Sequence, residues 1–420
     1  MVATVNLKQQ KLVPVLLDWF AANARDLPWR RTRDPYAIWV SEIMLQQTQV
    51  KTVMPYWKRW MRELPTIETV ANASSDKIHK LWEGLGYYTR ARNLQKAAQQ
   101  IVANRRAEFH DAPNNGDSQS SSLRKRNEYR FPEKFDDVLA LPGIGRYTAG
   151  AICSIAFNQP TPILDGNVIR VLTRIFGIRE NPREKKTNAR LWRLAEDLVF
   201  HVASSPFICR RRRKESHSIS LSSQSLLTSS PTCSHLNQSL MELGALVCTP
   251  RNPQCAICPV RKLCVAFQQN RVGEFPNLGK REKSTVRRFV AFVVERDGKF
   301  LVRQRPAGVV NAHLWEFPNI EVNDANPRTK EVFRSELGFA PPKLSRLCTV
   351  KHSITRYRIT LEAFRVNLGG ASSTSPKNSK MGRRGTPPSE TGIWLPLSKL
   401  SALAFTAAHK KVITHLKPAG

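Results

Sequence analysis

The sequence has no apolar run approaching the roughly 18 residues that span a bilayer. Its N-terminus lacks the basic, apolar and small-residue succession of a secretory signal. A soluble, cytoplasmic protein with no membrane partner is therefore expected. Acidic residues are scarce: 33 Asp plus Glu face 66 Lys plus Arg, a formal charge of +33. So basic a chain favours a polyanionic partner, nucleic acid first. Part of that charge stands in runs such as LRKRNEYR (123–130), CRRRRK (209–214) and MGRR (381–384), which read as solvated loops. Charge thus points to the partner and not to the chemistry. Cysteine is sparse as well, with 8 in 420 residues, and four of them crowd into 248–264. Cys153, Cys209, Cys233 and Cys348 stand alone, which speaks against a disulfide framework and for a metal site in a reducing compartment.

At 420 residues the chain exceeds one compact core and predicts two or three domains. From about residue 8 to 110 the apolar spacing is helical, punctuated by Pro14, Pro28, Pro35, Pro55 and Pro65. Residues 111–130 are polar and low in complexity, and read as a disordered insertion. Helical spacing resumes near Phe135 and runs through DGNVIRVLTRIF, where Val168, Ile169, Leu172, Ile175 and Phe176 share a face. A second insertion, rich in Ser and Arg, spans 204–235. The composition shifts again over 275–287, read as a linker. Beyond it RRFVAFVVERDGKFLVRQRP is β-branched, turns at Asp297-Gly298 and returns as a second strand. An all-α domain over 1–274 followed by an α+β domain over 288–420 is the expected multidomain fold.

Cys248, Cys255, Cys258 and Cys264 form C-x6-C-x2-C-x5-C. Four thiolates within so short a stretch wrap a compact object, a single metal or a small cluster. Zinc ribbons offer two short pairs, whereas here one short pair has longer arms and no histidine lies in the span, so a 4Fe-4S cubane is favoured. Buried free thiols rarely crowd so tightly. Arg251, Arg261 and Lys262 interleave with the ligands and present positive charge to phosphates, which fits a structural staple better than an electron carrier.

The stretch LPGIGRYTAG (141–150) reads as a tight turn between two helices, with Gly143 and Gly145 free to take positive φ. Amides at the start of the second helix, with Arg146 beside them, suit a phosphate oxygen. An ordinary αα-corner gives the same pattern. Rossmann and P-loop readings fail because no strand precedes the turn and no Lys-Ser or Lys-Thr follows it.

Taken together, LPGIG, the aspartate of LDGNV and the four-cysteine spacing resemble the helix-hairpin-helix DNA glycosylases of the endonuclease III and adenine glycosylase superfamily. VSEIMLQQTQV (40–50), WEGLGYYTRARNL (82–94) and MELGALVCTPRNPQC (241–255) look like its MutY-type adenine-specific branch. The resemblance covers about residues 8–270 apart from the two insertions, and continues more weakly beyond. It implies an enzyme that hydrolyses the N-glycosidic bond of adenine opposite 8-oxoguanine or guanine in double-stranded DNA. A monomer holding a 4Fe-4S cluster on the four cysteines and leaving an abasic site is expected.

Glu42 lies among Trp39, Val40, Ile43, Met44 and Leu45, where a carboxyl has a raised pKa and stays protonated as a general acid must. By the resemblance it protonates the departing adenine. Asp165 precedes Gly166-Asn167 and a helical run, so it reads as an N-cap; near a helix N-terminus its carboxylate stays ionised and suits an oxocarbenium-like sugar. The resemblance assigns Asn167 and Tyr147 to positioning Asp165 and the attacking water. It places Gln47, Leu85 and Tyr87 at wedge or mispair-reading positions, as extrusion of a nucleotide requires. Trp29 and Arg30 of LPWR fall in its adenine pocket.

Residues 288–420 resemble the Nudix-like domain of the same family, above all LVRQRPAGVVNAHLWEFP (301–318). A catalytic Nudix box binds magnesium through a glutamate-rich helix, roughly R-E-x-x-E-E. Here KEVFRSELGF (330–339) keeps only Glu331 and Glu336, so phosphohydrolase activity is not expected. The family's 8-oxoguanine-reading Phe-Ser-His loop is matched by HSITRYRI (352–359), with Ile354, Thr355 and Arg356 in its places after His352. Two rivals remain. An endonuclease III-like pyrimidine glycosylase with lyase activity requires a Schiff-base lysine where Tyr147 stands. A non-catalytic damage-binding protein would have no need of Glu42 and Asp165.

Overall fold

The computed structural model describes residues 2–110, 130–204, 233–279, 284–324, 327–354, 356–369 and 392–416. The expected insertions at 111–130 and 204–235 fall largely outside the described residues, as does Thr355. The chain divides into two compact units: Met1–Asn72 with Asn93–Arg281, and Ala73–Arg92 with Glu282–Gly420.

The first unit is helical. α1 (Val2–Asn23) leads to a short 3-10 turn, Pro28–Arg30, and then to α2 (Pro35–Leu45). Asp34 starts α2 by accepting from the amides of Tyr36 (3.0 Å) and Ala37 (3.3 Å), with Pro35 at the first helical position. Every residue from Tyr36 to Met44 is buried, so α2 is a core helix and not an amphipathic one. α3 (Val50–Glu63) and α4 (Ile67–Asn72) follow; α5 (Ser75–Trp82) and the first turn of α6 (Thr89–His110) fall in the second unit, and α6 rejoins the first from Asn93. After α7 (Phe135–Leu139) comes the LPGIG turn into α8 (Arg146–Phe157). α9 (Gly166–Phe176), α10 (Lys185–Ser204), α11 (Cys233–Leu246) and α12 (Val265–Gln268) complete the unit. Its core joins Leu12 and Leu16 of α1, Val171 and Leu172 of α9, Leu191 and Leu198 of α10, and Leu236, Leu240 and Leu243 of α11.

Among the described residues the second unit is built on a mixed sheet of seven strands: β1 (Thr285–Arg296), β2 (Lys299–Gln304), β3 (Trp315–Glu316), β4 (Asn319–Val322), β5 (Ser345–Ile354), β6 (Tyr357–Asn367) and β7 (Gly392–Pro396). The main order is β3-β2-β1-β6-β5, with β1 and β6 parallel. β1 and β2 form the expected hairpin, Arg296 pairing with Lys299, and Asp297 (φ 52°) and Gly298 (φ 69°) supply its left-handed turn. Both faces of β1 are covered. Ala291 and Val293 meet Ala408 and Val412 of α15 (Ala407–Thr414), which follows α13 (Thr329–Leu337) and α14 (Leu397–Leu400); Val290, Phe292 and Val294 meet Phe333 and Leu337 of α13. Strand alternation thus sends consecutive residues into opposite cores.

Three boundaries differ from the sequence reading. Phe275, placed in the linker, is buried and its carbonyl accepts from Arg174 Nε (3.1 Å), while β1 begins as early as Thr285. Cys233–His235 lie in α11 and not in an insertion. Ala73–Arg92, inside the expected helical domain by position, groups with the sheet.

Candidate active site

α2, α8, α9 and α11 bring Glu42, Tyr147, Asp165, Asn167 and Met241 to one cavity of about 550 Å³. That volume lies within the roughly 300–1,000 Å³ of small-molecule sites. Glu42 is only 5 % exposed, and its Oε2 accepts from the Tyr147 hydroxyl at 2.9 Å. Burial drives its pKa up to about 7; the Tyr147 hydrogen bond opposes the rise, Asp165 adds to it, and Arg30 opposes it. Tyr147 itself is raised well above the usual phenol value by burial and by the two carboxyls. Its hydroxyl also lies 3.4 Å from Met241 Sδ.

Asp165 caps α9, its Oδ1 accepting from Val168 N (2.7 Å) and its Oδ2 from Asn167 Nδ2 (2.8 Å). The helix N-terminus is not the largest influence on it: burial raises its pKa, and the donors from Val168 and Asn167, with Arg170, pull back. Arg170 extends the network inward, donating Nη2 to Asn167 Oδ1 (2.8 Å) and to Gly244 O (2.8 Å). A Cβ on Gly244 would stand 2.6 Å from Asn167 Cβ, so only glycine lets α11 come this close.

Trp29 and Arg30 line the same cavity. Arg30 and Arg25 both grip Glu242, Arg30 Nη2 at 3.0 Å and Arg25 Nη2 at 2.7 Å, and the two guanidiniums hold that buried carboxyl down to about 2 despite its burial. Arg25, Glu242, Met241, Arg170 and Gly244 were not singled out by sequence, although a lone glutamate inside MELGAL is a visible signal of a buried pair. Gln47 lines the cavity too and holds a left-handed backbone, φ 56°.

At the LPGIG turn only Gly143 has positive φ (79°), and a Cβ there would stand 2.6 Å from Asn93 Cβ. Gly145 is extended (φ −97°, ψ 175°) and caps α8 without a side chain, with open space where a Cβ would point. The expectation of positive φ at both glycines is corrected: the turn needs one left-handed residue, and the second position is an N-cap. Arg146 is held sideways, its guanidinium 4.0 Å over the Trp192 ring and paired to Glu196.

Cys248, Cys255, Cys258 and Cys264 line a second cavity, whose wall is Val171, Ile175, Leu243, Val247, Val260 and Phe267. Among the described residues no three metal-binding side chains converge on one ion position. Four sulfurs around an apolar hollow suit a cluster wider than a single ion. Arg174 donates to Cys248 Sγ (3.3 Å) and to Thr249 O (2.8 Å), and supplies the charge-bearing contact that a thiolate-ligated cluster attracts.

In the sheet unit Ile354 pairs with Tyr357, so HSITRYRI is the tip of the β5–β6 hairpin. His352 pairs with Ile359 and is half-buried, and burial with Lys411 lowers its pKa. Arg356 is exposed, 5.4 Å over the Tyr357 ring. Glu336 is bound by Arg303 (2.6 Å), and Glu316 by Arg303 (3.2 Å) and Arg305, so arginines occupy the buried Glu316 and the half-buried Glu336. Leu85 is buried, whereas Tyr87 is 41 % exposed at φ 48° in the turn Gly84–Tyr88. Arg90 braces this turn, donating Nη2 to Leu85 O (3.0 Å) and Gly86 O (3.1 Å).

Comparison with known proteins agrees with this arrangement. Residues 40–197 match the HhH-GPD superfamily of base excision DNA repair proteins, 248–264 the iron-sulfur binding domain of endonuclease III, and 289–415 the NUDIX domain. The iron-sulfur match runs from Cys248 to Cys264 and contains all four cysteines, consistent with the 4Fe-4S cofactor of this family. The chain is 33 % identical to an adenine DNA glycosylase of Arabidopsis thaliana over 97 % of its own length and 65 % of that protein's. It is 31 % identical to that of Mus musculus, covering 94 % and 76 % of the two chains. With the enzyme of that name from Buchnera aphidicola (subspecies Schizaphis graminum) it shares 30 % identity over 96 % and 98 %. By sequence over nearly its whole length, and by an all-helical catalytic unit followed by a Nudix-like one, the chain belongs to the adenine DNA glycosylase family of base-excision repair hydrolases.

Proposed function

We propose that this chain removes adenine placed opposite 8-oxoguanine or guanine in duplex DNA by hydrolysis, and leaves an abasic site without cutting the strand. The observation that carries the reading is Glu42, a buried carboxyl raised to about 7, bonded to Tyr147 and sharing one cavity with Asp165. A carboxyl with that pKa keeps its proton at neutral pH and still gives it up to a leaving group. As the C1′–N bond breaks, its electron pair goes to the adenine ring, which takes the Glu42 proton. The sugar is left as an oxocarbenium-like cation, and the Asp165 carboxylate, fixed by Val168 N and Asn167 Nδ2, stabilises that charge. Water then bonds to C1′ and returns a proton to Glu42, which balances the cycle. Trp29, Arg30, Arg25 and Glu242 form a wall of aromatic and paired polar groups suited to a flipped purine. The cluster, when bound, stiffens the loop behind α9.

The absence of strand scission rests on Tyr147. A lyase needs an amine nucleophile, and the cationic residues lining the cavity are arginines, Arg25 and Arg30. Preference for 8-oxoguanine is supported by the Nudix-like unit, whose hairpin tip carries Arg356. The test is incubation of the full protein with duplexes carrying A opposite 8-oxoguanine, A opposite G, or an oxidised thymine. Alkali-dependent cleavage at the adenine of the first two is expected. Strand cleavage of the thymine duplex without alkali would establish the endonuclease III-like activity instead, and tight binding without base release would make the chain a damage-binding protein.

A further inference from the structure

Within the sheet unit one buried carboxylate stands outside the machinery described so far. Glu83, 9 % exposed, immediately precedes the Gly84–Tyr88 turn and is surrounded by donors, of which Lys410 and Phe405 come from the far end of the sequence. Its Oε2 accepts from Lys410 Nζ at 2.7 Å and from Lys80 Nζ at 2.9 Å, and its Oε1 from the Phe405 amide at 3.4 Å. Lys80 Nζ also donates to Ser401 O (2.6 Å) and Leu403 O (3.2 Å). On the other side of the turn, Arg92 Nη1 donates to Ala312 O at 2.9 Å.

The anchor is rigid. Phe405 is buried beside Phe317, and its neighbours are laced to β3 by Trp315 N to Ala404 O (2.9 Å) and Thr406 N to Trp315 O (3.1 Å). The same core contains Val350 of β5 and Leu361 of β6, the strands that end in the Ile354–Tyr357 tip. The turn itself is the opposite: three of its positions have positive φ, Gly84 (109°), Gly86 (70°) and Tyr87 (48°); the two glycines are free to take other conformations as well, and Tyr87 holds one that its side chain disfavours. Something outside the turn must specify it.

We propose that Glu83, clamped by Lys80 and Lys410, is a positioning residue that ties the Tyr87-bearing turn to the hairpin-bearing sheet, so that Tyr87 and Arg356 are held as parts of one body. The inference rests on the proposed excision of adenine opposite 8-oxoguanine: a wedge and a reader of the opposite base act together only when their spacing is fixed. A glutamate that merely closes α5 would matter equally for every substrate.

The full-length, cluster-loaded protein is compared with Glu83→Gln, Lys410→Met, their double variant and Lys410→Arg by single-turnover excision from A opposite 8-oxoguanine and A opposite G. Each of the first two should lower the 8-oxoguanine rate about tenfold and the guanine rate less than about threefold, the range of ordinary coupling between sites. The double variant should be no worse than either single, since both break one contact, and Lys410→Arg should behave as wild type. Equal losses on both substrates, additive losses, or an unchanged preference would overturn the proposal. Hydrogen exchange gives a readout independent of catalysis: in Glu83→Gln, peptides covering 84–88 and 400–410 should both exchange faster, and unchanged exchange would sink the tie. A wild-type protein that releases no adenine from either duplex would refute the proposed function and leave the exchange result to decide the tie.

Discussion

A single carboxyl sets both the reactivity and part of the stability of the helical unit. Glu42 is raised from the ordinary glutamate range to about 7 mainly by burial. Its protonated form is the active one, so excision should fall as pH rises through about 7, and it should fall again in acid, where Asp165, whose pKa burial raises, takes up a proton. The same shift destabilises the fold. In the unfolded chain Glu42 ionises near 4.5, so the stability it contributes as a neutral group is complete below that pH and is lost between about 4.5 and about 7. The loss amounts to about 3 kcal/mol at about 1.4 kcal/mol per pH unit. Glu42→Gln removes the ionisation and keeps an oxygen for Tyr147. It should lower excision by about 10²–10⁴-fold and melt higher than wild type at pH 8, with the gap closing at pH 5. Near-normal turnover would remove Glu42 from the acid role, and a gap independent of pH would remove the burial argument. This behaviour was legible in IWVSEIML, because desolvation by adjacent apolar residues is a local property. The Arg25–Glu242–Arg30 cluster was not, since Arg25 and Glu242 lie 217 positions apart.

At the scale of elements, the turn between α7 and α8 shows which part of a motif is backbone and which is surface. Gly143 is left-handed and packs where a Cβ would strike Asn93; Gly145 is extended and faces open space. Gly143→Ala should therefore cost about 1–3 kcal/mol, from backbone strain and overpacking, whereas Gly145→Ala should cost well under about 1 kcal/mol as an N-cap exchange. Thermal melts of the two variants decide this, and equal costs would mean that the turn relaxes. Sequence alone showed two equivalent glycines, because φ is set by the path of both helices. Helix periodicity was legible where one face is wet, as in α9; in α2 burial all round erases the stripe, and the helix was legible from its unbroken apolar run instead. The β1–β2 hairpin was plain from Asp297-Gly298, whose residue types specify their own turn. The β5–β6 hairpin was not recognised, because ITRY carries no such signal.

At the scale of the whole molecule, two cores built on separate segments should respond separately to loss of the cluster. The cysteine-lined cavity is walled by Val171 and Ile175 of α9 and Leu243 and Val247 of α11, the helices that carry Asp165's cap and Met241. Emptying it leaves apolar side chains without partners on one side and leaves Arg174 facing thiols in place of a cluster. Chelation of iron from the loaded protein should therefore speed hydrogen exchange in peptides from α9 and α11. Peptides from β1 should be unchanged, since residues 290–294 belong to the other core. The informative peptide is 84–88. By position in the chain it sits between segments of the first unit, but Lys80 and Glu83 just before it bond residues more than 300 positions downstream, a connection no local pattern announces. It should keep its protection along with β1 when iron is removed. If it loosens in step with α9 and α11, the turn belongs to the helical unit, and the division of the molecule at Ala73 and Arg92 is wrong.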